Sequence, residues 1–200
     1  MLRIDTQDLP TPPHHPADHG DAPSTWELTR ACATGDRNAF HHLFLRYQHR
    51  VYSIALHYTS NPTLAMDISQ DVFVKLFSAI GSYRGDSPFE SWLFRIVANC
   101  CHDAHRRQRP TIPLEQLPAA AESAPADRHA SDSAQAVREQ VARLPEELRM
   151  TVVLRYTEGL SYEEIATILA CPAGTVASRL NRAHRELAKH LAYLQGRELP

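Results

Sequence analysis

No stretch of this 200-residue chain approaches the ~20 apolar residues that span a bilayer. Its first twenty residues hold no apolar run of the kind that opens a secretory signal, so none is expected. Cysteine is scarce. Cys32, Cys100, Cys101 and Cys171 are too few and too irregularly spaced for a disulfide framework, which predicts a reducing, cytoplasmic setting. No Gly-rich phosphate loop, paired-His metal motif or nucleophile elbow is present, so nothing points to an enzyme. No alternating run is long enough to make a strand. What is there is ordinary for a globular chain: 43% hydrophobic and 22% charged residues.

The net charge of −2 is unfavourable for binding a polyanion until it is divided along the chain. Residues 1–27 carry one Arg against five acids, and residues 28–110 carry ten bases against six acids. Residues 111–135 carry one Arg against four acids, and residues 136–200 carry nine bases against eight. Acidic segments therefore mask more basic folded ones, and nucleic-acid binding stays open.

Nine of the fourteen prolines fall within residues 10–23 and 110–125. Proline lacks the N–H that helices and ladders need. These stretches predict a disordered tail over 1–23 and a flexible Pro/Ala-rich tether over 110–132. The blocks between, 24–109 and 133–195, are expected to be two small all-α domains.

Helix starts are well marked. Ser24 with Glu27, Ser87 with Glu90, and Ser161 with Glu164 have capping-box spacing. Asp36 and Asn61 are further caps, the second followed by Pro62 at the first helical position. Phe40, Leu43, Phe44, Tyr47, Val51 and Ile54 repeat at helical spacing, as do Leu64, Ile68, Val72, Phe73, Leu76 and Phe77. Phe89, Trp92, Leu93, Ile96 and Val97 continue the pattern before Pro110. After the tether, helices are expected over 133–144 and 145–157, the latter ended by Gly159 in a left-handed conformation.

Three segments carry candidate function. Residues 160–187 read as a helix, a tight turn and a second helix. Leu160, Ile165, Ile168 and Leu169 face Val176, Leu180 and Leu187, leaving Ser178, Arg179, Asn181, Arg182 and Arg185 outward. That is a helix-turn-helix layout, in which Arg reads guanine edges, Asn reads adenine, and either holds phosphate. An ordinary helical hairpin with a solvated basic face fits the same pattern. Asp67, Gln70 and Asp71 form an acidic face one turn deep. It is either a solvated face, with Lys75 pairing Asp71, or a contact surface. In the third segment, 81–109, Tyr83 and Phe89 lie among Arg84, Arg95, Arg106, Arg107 and Arg109, with Asn99. Rings beside cations suit unpaired nucleic acid, because bases stack while phosphates are neutralised. Trp92 reads as core, and Tyr83, in a polar Gly-flanked loop, as a binding residue.

Together these segments resemble a bacterial sigma factor of the extracytoplasmic-function (ECF) group. Three motifs carry the resemblance. The run Asp67-Ile-Ser-Gln-Asp-Val-Phe73 is similar to the family's helix that docks on the clamp of RNA polymerase. Tyr83-Arg-Gly-Asp-Ser-Pro-Phe-Glu-Ser-Trp-Leu-Phe-Arg-Ile96, with Asn99, is similar to its promoter −10 segment. Leu144-Pro-Glu-Glu-Leu-Arg149 and Leu160-Ser-Tyr-Glu-Glu-Ile-Ala166, leading to Gly174, Thr175 and Val176, are similar to its −35 domain.

The resemblance implies a sigma factor that binds RNA polymerase core through clamp and flap, recognises promoter DNA, needs no cofactor, and is held by an anti-sigma factor. It assigns Asp67, Gln70 and Asp71 to the clamp. Tyr83, Ile96 and Asn99 go to a pocket for a base flipped from the −10 element, with Arg106, Arg107 and Arg109 on nearby DNA backbone. Thr175, Ser178, Asn181 and Arg182 go to the −35 groove, with Arg179 and Arg185 nearer phosphates. Two positions depart from the family. Ala170 stands where Gly is common, which predicts a more helical turn. Ala177 stands where a basic residue is common, which predicts one DNA contact fewer.

Three rival readings remain. One is a metal or redox sensor, since the chain has 12 His and Cys101 and His105 share a helix face. Two ligands are only half a zinc site, however, and no Cys-x-x-Cys pair completes it. Cys100 reads as a small core residue. An enzyme lacks any supporting motif. A stand-alone helix-turn-helix repressor explains the second block but not the first.

Overall fold

The structure, a computed structural model, describes residues 23–108 and 130–195. Eight helices run α1 (Thr25–Ala33), α2 (Arg37–Thr59), α3 (Pro62–Ala79), α4 (Phe89–Gln108), α5 (Ala130–Arg143), α6 (Glu146–Thr157), α7 (Tyr162–Leu169) and α8 (Ala173–Gln195), with a 3-10 turn at Ile80–Ser82. No strand occurs among the described residues. Most of residues 1–23 and of the expected tether, together with Arg109, lie outside them. Helix α5 begins at Ala130, three residues earlier than the periodicity predicts.

The local signals act as the sequence requires. Ser24 and Ser161 each close a full capping box, with Glu27 and Glu164. Asp36 accepts from the amides of Asn38 and Ala39, and Asn61 accepts from Leu64. Such caps contribute about 1 kcal/mol each by satisfying orphan amides. Gly159 takes φ +69°, just beyond the end of α6. The box predicted at Ser87 with Glu90 does not form. Glu90 accepts the Tyr47 hydroxyl at 2.5 Å instead, and so ties α4 to α2.

In the first domain, α2, α3 and α4 pack around Leu43, Val51, Ile54, Val72, Leu76, Leu93 and Phe94. Phe77, expected inward, is exposed and meets Phe40 edge-on with ring centroids 5.0 Å apart. In the second domain, α7 and α8 close over Ile165, Ile168, Val176 and Leu180, the set expected to join them.

The two domains pack directly on one another. Helix α6 lies between α8 and α2, and α7 lies against α4. All residues 148–154 of α6 are consequently buried. A helix enclosed on every side shows no clean amphipathic stripe. Its one buried cation, Arg149, is 7% exposed. Its guanidinium donates to the Leu144 carbonyl at 2.9 Å and lies 4.9 Å from the centre of the Tyr58 ring on α2. A buried charge is tolerated only when so partnered. Across the same seam, Arg50 pairs with Glu158 at 2.8 Å and Arg95 donates to the Thr167 carbonyl at 3.2 Å.

Candidate polymerase and promoter interfaces

The acidic face of α3 forms because its apolar residues fix its orientation. Ile68, Val72 and Leu76 are buried, so Asp67, Gln70 and Asp71 are turned to solvent. Lys75 does not pair with Asp71. It reaches Asp103 on α4 at 3.3 Å and holds that carboxyl below the usual carboxylate range. Asp71 instead meets Arg107 at 3.5 Å. Lys75 and Asp71 are one turn apart, but the antiparallel neighbour α4 offers each a partner across the groove.

Ile96 and Asn99 of α4 line an open cavity of about 770 Å³ between α3 and α4. Lys75, Ser78, Asp103 and Arg106 line it too, and Glu146 of α6 stands at its edge. The cavity thus offers an apolar wall, an amide and two cations, a set suited to one base and its phosphate. Arg106 and Arg107 are well exposed, and each is paired with a carboxylate, Asp103 at 2.6 Å and Asp71 at 3.5 Å. Such surface pairs are worth about 0–1 kcal/mol, so a phosphate can displace them at little cost.

Tyr83 is not in this cavity. It packs among Trp26, Phe89 and Trp92, with ring centroids 6.5, 5.5 and 5.3 Å away, and its hydroxyl donates to the Ser87 carbonyl at 2.7 Å. Burial, then the nearby Glu90 and Asp86 charges, push its hydroxyl pKa up, so it stays neutral. Trp92 packs against the core, as expected.

On α8, Ser178, Asn181, Arg182 and Arg185 are exposed. Arg179 and Thr175 are half-buried. One carboxylate, Glu147 at the start of α6, meets both Arg179 at 3.6 Å and Arg182 at 3.3 Å. Arg179 also approaches the Cys171 sulfur at 3.7 Å. The preceding turn is not more helical for having alanine. Ala170 takes φ +50°, ψ +49°, the left-handed conformation that glycine takes freely. The sharp stop of α7 is imposed by packing α8 onto it, and alanine bears the strain.

No group of three or more His, Cys, Asp or Glu is placed to hold a metal among the described residues. Cys100 and Cys101 are buried, and burial raises the pKa of both thiols, which suppresses the reactive thiolate. No helix among the described residues is long and apolar enough to cross a membrane.

Residues 43–111 match the family model for sigma-70 region 2, and residues 134–187 match the model for sigma-70 region 4. The ECF RNA polymerase sigma-E factor of Escherichia coli K12 is 39% identical over 173 residues, covering 80% of this chain and 90% of that one. The chain belongs to the ECF sigma factors. The RNA polymerase sigma-H factor of Pseudomonas aeruginosa is 36% identical over 180 residues, covering 82% of this chain and 92% of that one. A solved structure of CnrH in complex with the cytosolic domain of CnrY matches with a TM-score of 0.64 at 27% identity, covering 83% and 96%. The sigma factor RpoE in complex with the anti-sigma factor NepR from Bartonella quintana shares the fold, with a TM-score of 0.60 at 24% identity, covering 76% and 96%.

A sigma factor is a transcription initiation factor and not an enzyme. In this sigma factor, residues around the cavity and seam escaped sequence reasoning. Lys75 and Asp103 were visible as charges, but only the α3–α4 packing sets them beside Asn99. Glu147 lies in a recognised motif, yet its reach to α8 spans 35 residues.

Proposed function

We propose that this sigma factor binds RNA polymerase core through Asp67, Gln70 and Asp71 on the clamp, with its second domain on the flap. Promoter −10 DNA is read at Ile96 and Asn99, with Tyr83 in the α3–α4 loop outside their cavity and Arg106, Arg107 and Arg109 on the backbone. The −35 element is read by Thr175, Ser178, Asn181 and Arg182, with Arg185 and Arg179 toward phosphates. The acting units are residues 24–109 and 133–195, tethered by 110–132. The protein works in the cytoplasm and is restrained by an anti-sigma factor, the class of partner that RpoE holds in its complex with NepR.

The cavity carrying Ile96 and Asn99 supports this reading most directly, and Asp71 of the acidic face pairs with Arg107 one turn further along the same α3–α4 groove. Glu146 at the cavity edge adds a consequence. A carboxylate there repels phosphate, so parting of the two domains would favour entry of −10 DNA. Transcription in vitro tests the proposal, using fragmented genomic DNA and sigma-free core with and without the protein. New start sites sharing upstream elements are expected. Absence of both new transcripts and core binding would overturn the reading in favour of a stand-alone DNA-binding regulator.

A further inference from the structure

Helix α1 lies outside the segment matched by sigma region 2, which begins at residue 43, so the match assigns it no role. Yet α1 is fastened to the −10 loop. Gly85, with φ +80°, seats its backbone against the Trp26 indole so closely that a Cβ there would stand 2.7 Å from the ring. The same indole meets Tyr83 edge-on, with centroids 6.5 Å apart and planes at 69°. Despite these contacts Trp26 is 50% exposed. Leaving half an indole in water forgoes a large share of its burial energy.

Its surroundings are those of a nucleic-acid platform. Arg30 is one helical turn from Trp26 and exposed, and Arg84, next to Tyr83, is exposed too. The neighbouring acid on α1, Glu27, is engaged in its capping box, accepting from the Ser24 amide and hydroxyl at 2.8 Å. Asp86 is the loop's own exposed acid, set against those two arginines. Two rings inclined at 69° cannot sandwich one base, and Tyr83 is already packed among Phe89 and Trp92, so the exposed half of the Trp26 indole is the surface left for stacking.

Resting on the −10 reading above, we propose that Trp26 is a stacking residue for the unpaired promoter strand, taking a different base from the one held at the Asn99 cavity, with Arg30 and Arg84 neutralising the flanking phosphates. Loop and platform are held in register by the Gly85–Trp26 contact, so α1 sets where the opened strand lies.

The test uses core polymerase bearing the full-length protein and a fluorescent single-stranded oligonucleotide of the mapped −10 element. Stacking losses on alanine substitution predict that Trp26→Ala weakens binding about 5- to 150-fold. Trp26→Phe keeps a ring and retains most of the binding. Trp26→Leu keeps the packing against Gly85 but no π face, and loses binding as Ala does. Retention of binding by Trp26→Leu would overturn the stacking role in favour of packing alone. Unchanged binding in Trp26→Ala, while Asn99→Ala loses it, would overturn this proposal and leave the −10 reading intact. Unchanged binding in both would overturn the two together.

Discussion

Arg50 of α2 and Glu158 at the end of α6 form a single ion pair across the domain seam: Nε and Nη2 of the arginine both lie 2.8 Å from the same carboxylate oxygen. The Glu158 side chain is 5% exposed and that of Arg50 is 27% exposed. The Arg50 guanidinium also lies 4.9 Å from the centre of the Phe94 ring. Removing Arg50 strands a nearly buried carboxylate, and removal of one partner costs far more than the pair itself contributes. Arg50→Ala is expected to destabilise the closed arrangement by about 2–3 kcal/mol. Small-angle scattering should show expansion of the double-domain particle, and Arg50→Ala with Glu158→Leu should recover compactness. An unexpanded single variant would mean that the apolar seam around α6 suffices alone.

His102 gives the seam a pH dependence. Burial lowers its pKa from the usual 6.5, outweighing the Glu146 and Asp103 charges that favour its protonation. Its Nδ1 is 3.7 Å from Glu146, and its buried Nε2 has no hydrogen-bond partner. Because the folded pKa lies below the unfolded one, the unfolded chain binds the proton more readily between the two values. Stability from keeping this ring neutral is complete above about pH 6.5 and declines as pH falls below it. The melting temperature should therefore drop between about pH 7 and pH 5, and His102→Gln should lessen that drop. An identical drop in the variant would assign the effect to other titrating groups.

Ala170 is the clearest site for stabilisation. A left-handed conformation costs an L-residue about 1–2 kcal/mol, whereas glycine adopts it freely at the expense of about 0.4–1 kcal/mol in unfolded-state entropy. The difference predicts that Ala170→Gly stabilises the second domain by about 0.5–1 kcal/mol, read as a higher urea midpoint with unchanged slope. A lower midpoint would show that the alanine methyl makes a contact worth more than the strain.

Why some of this was legible in sequence and some was not has a physical basis. Caps and periodic apolar residues act within a few positions, so Ser24, Asp36, Asn61 and Ser161 fixed helix starts and the packing of α7 on α8, with Ile165 and Val176 buried, followed from spacing. Charge pairing is not local in the same sense. Asp71 and Lys75 sit one turn apart, but Arg107 and Asp103 on α4 were the available partners once the helices packed. The seam was invisible because its members are far apart in the chain: Arg50 and Glu158 are separated by 108 positions. Burial of α6 on all sides also erased the periodic signal that would have marked a second contact face. Glu90 was misread for a related reason. Its spacing from Ser87 fits a cap, but the Tyr47 hydroxyl competes for it from another helix.

Arg179 and Arg182 share the Glu147 carboxylate yet should behave differently. Arg179 has a side chain 21% exposed and a second neighbour in Cys171, so its guanidinium is largely committed within the domain. Arg182 is 56% exposed, and its pair with Glu147 is a surface pair worth about 0–1 kcal/mol. A guanine edge or a phosphate can take it over, and a specific arginine–base contact is worth about 1–3 kcal/mol. Arg182→Ala should thus lower −35-dependent initiation roughly 5- to 150-fold while leaving core binding and thermal stability near those of the parent. Arg179→Ala should lower the melting temperature first and promoter use as a consequence. Initiation and stability measured on both variants separate the two roles. Loss of core binding in Arg182→Ala would contradict the assignment of α8 to DNA, since polymerase contact would then run through the helix assigned to the −35 element.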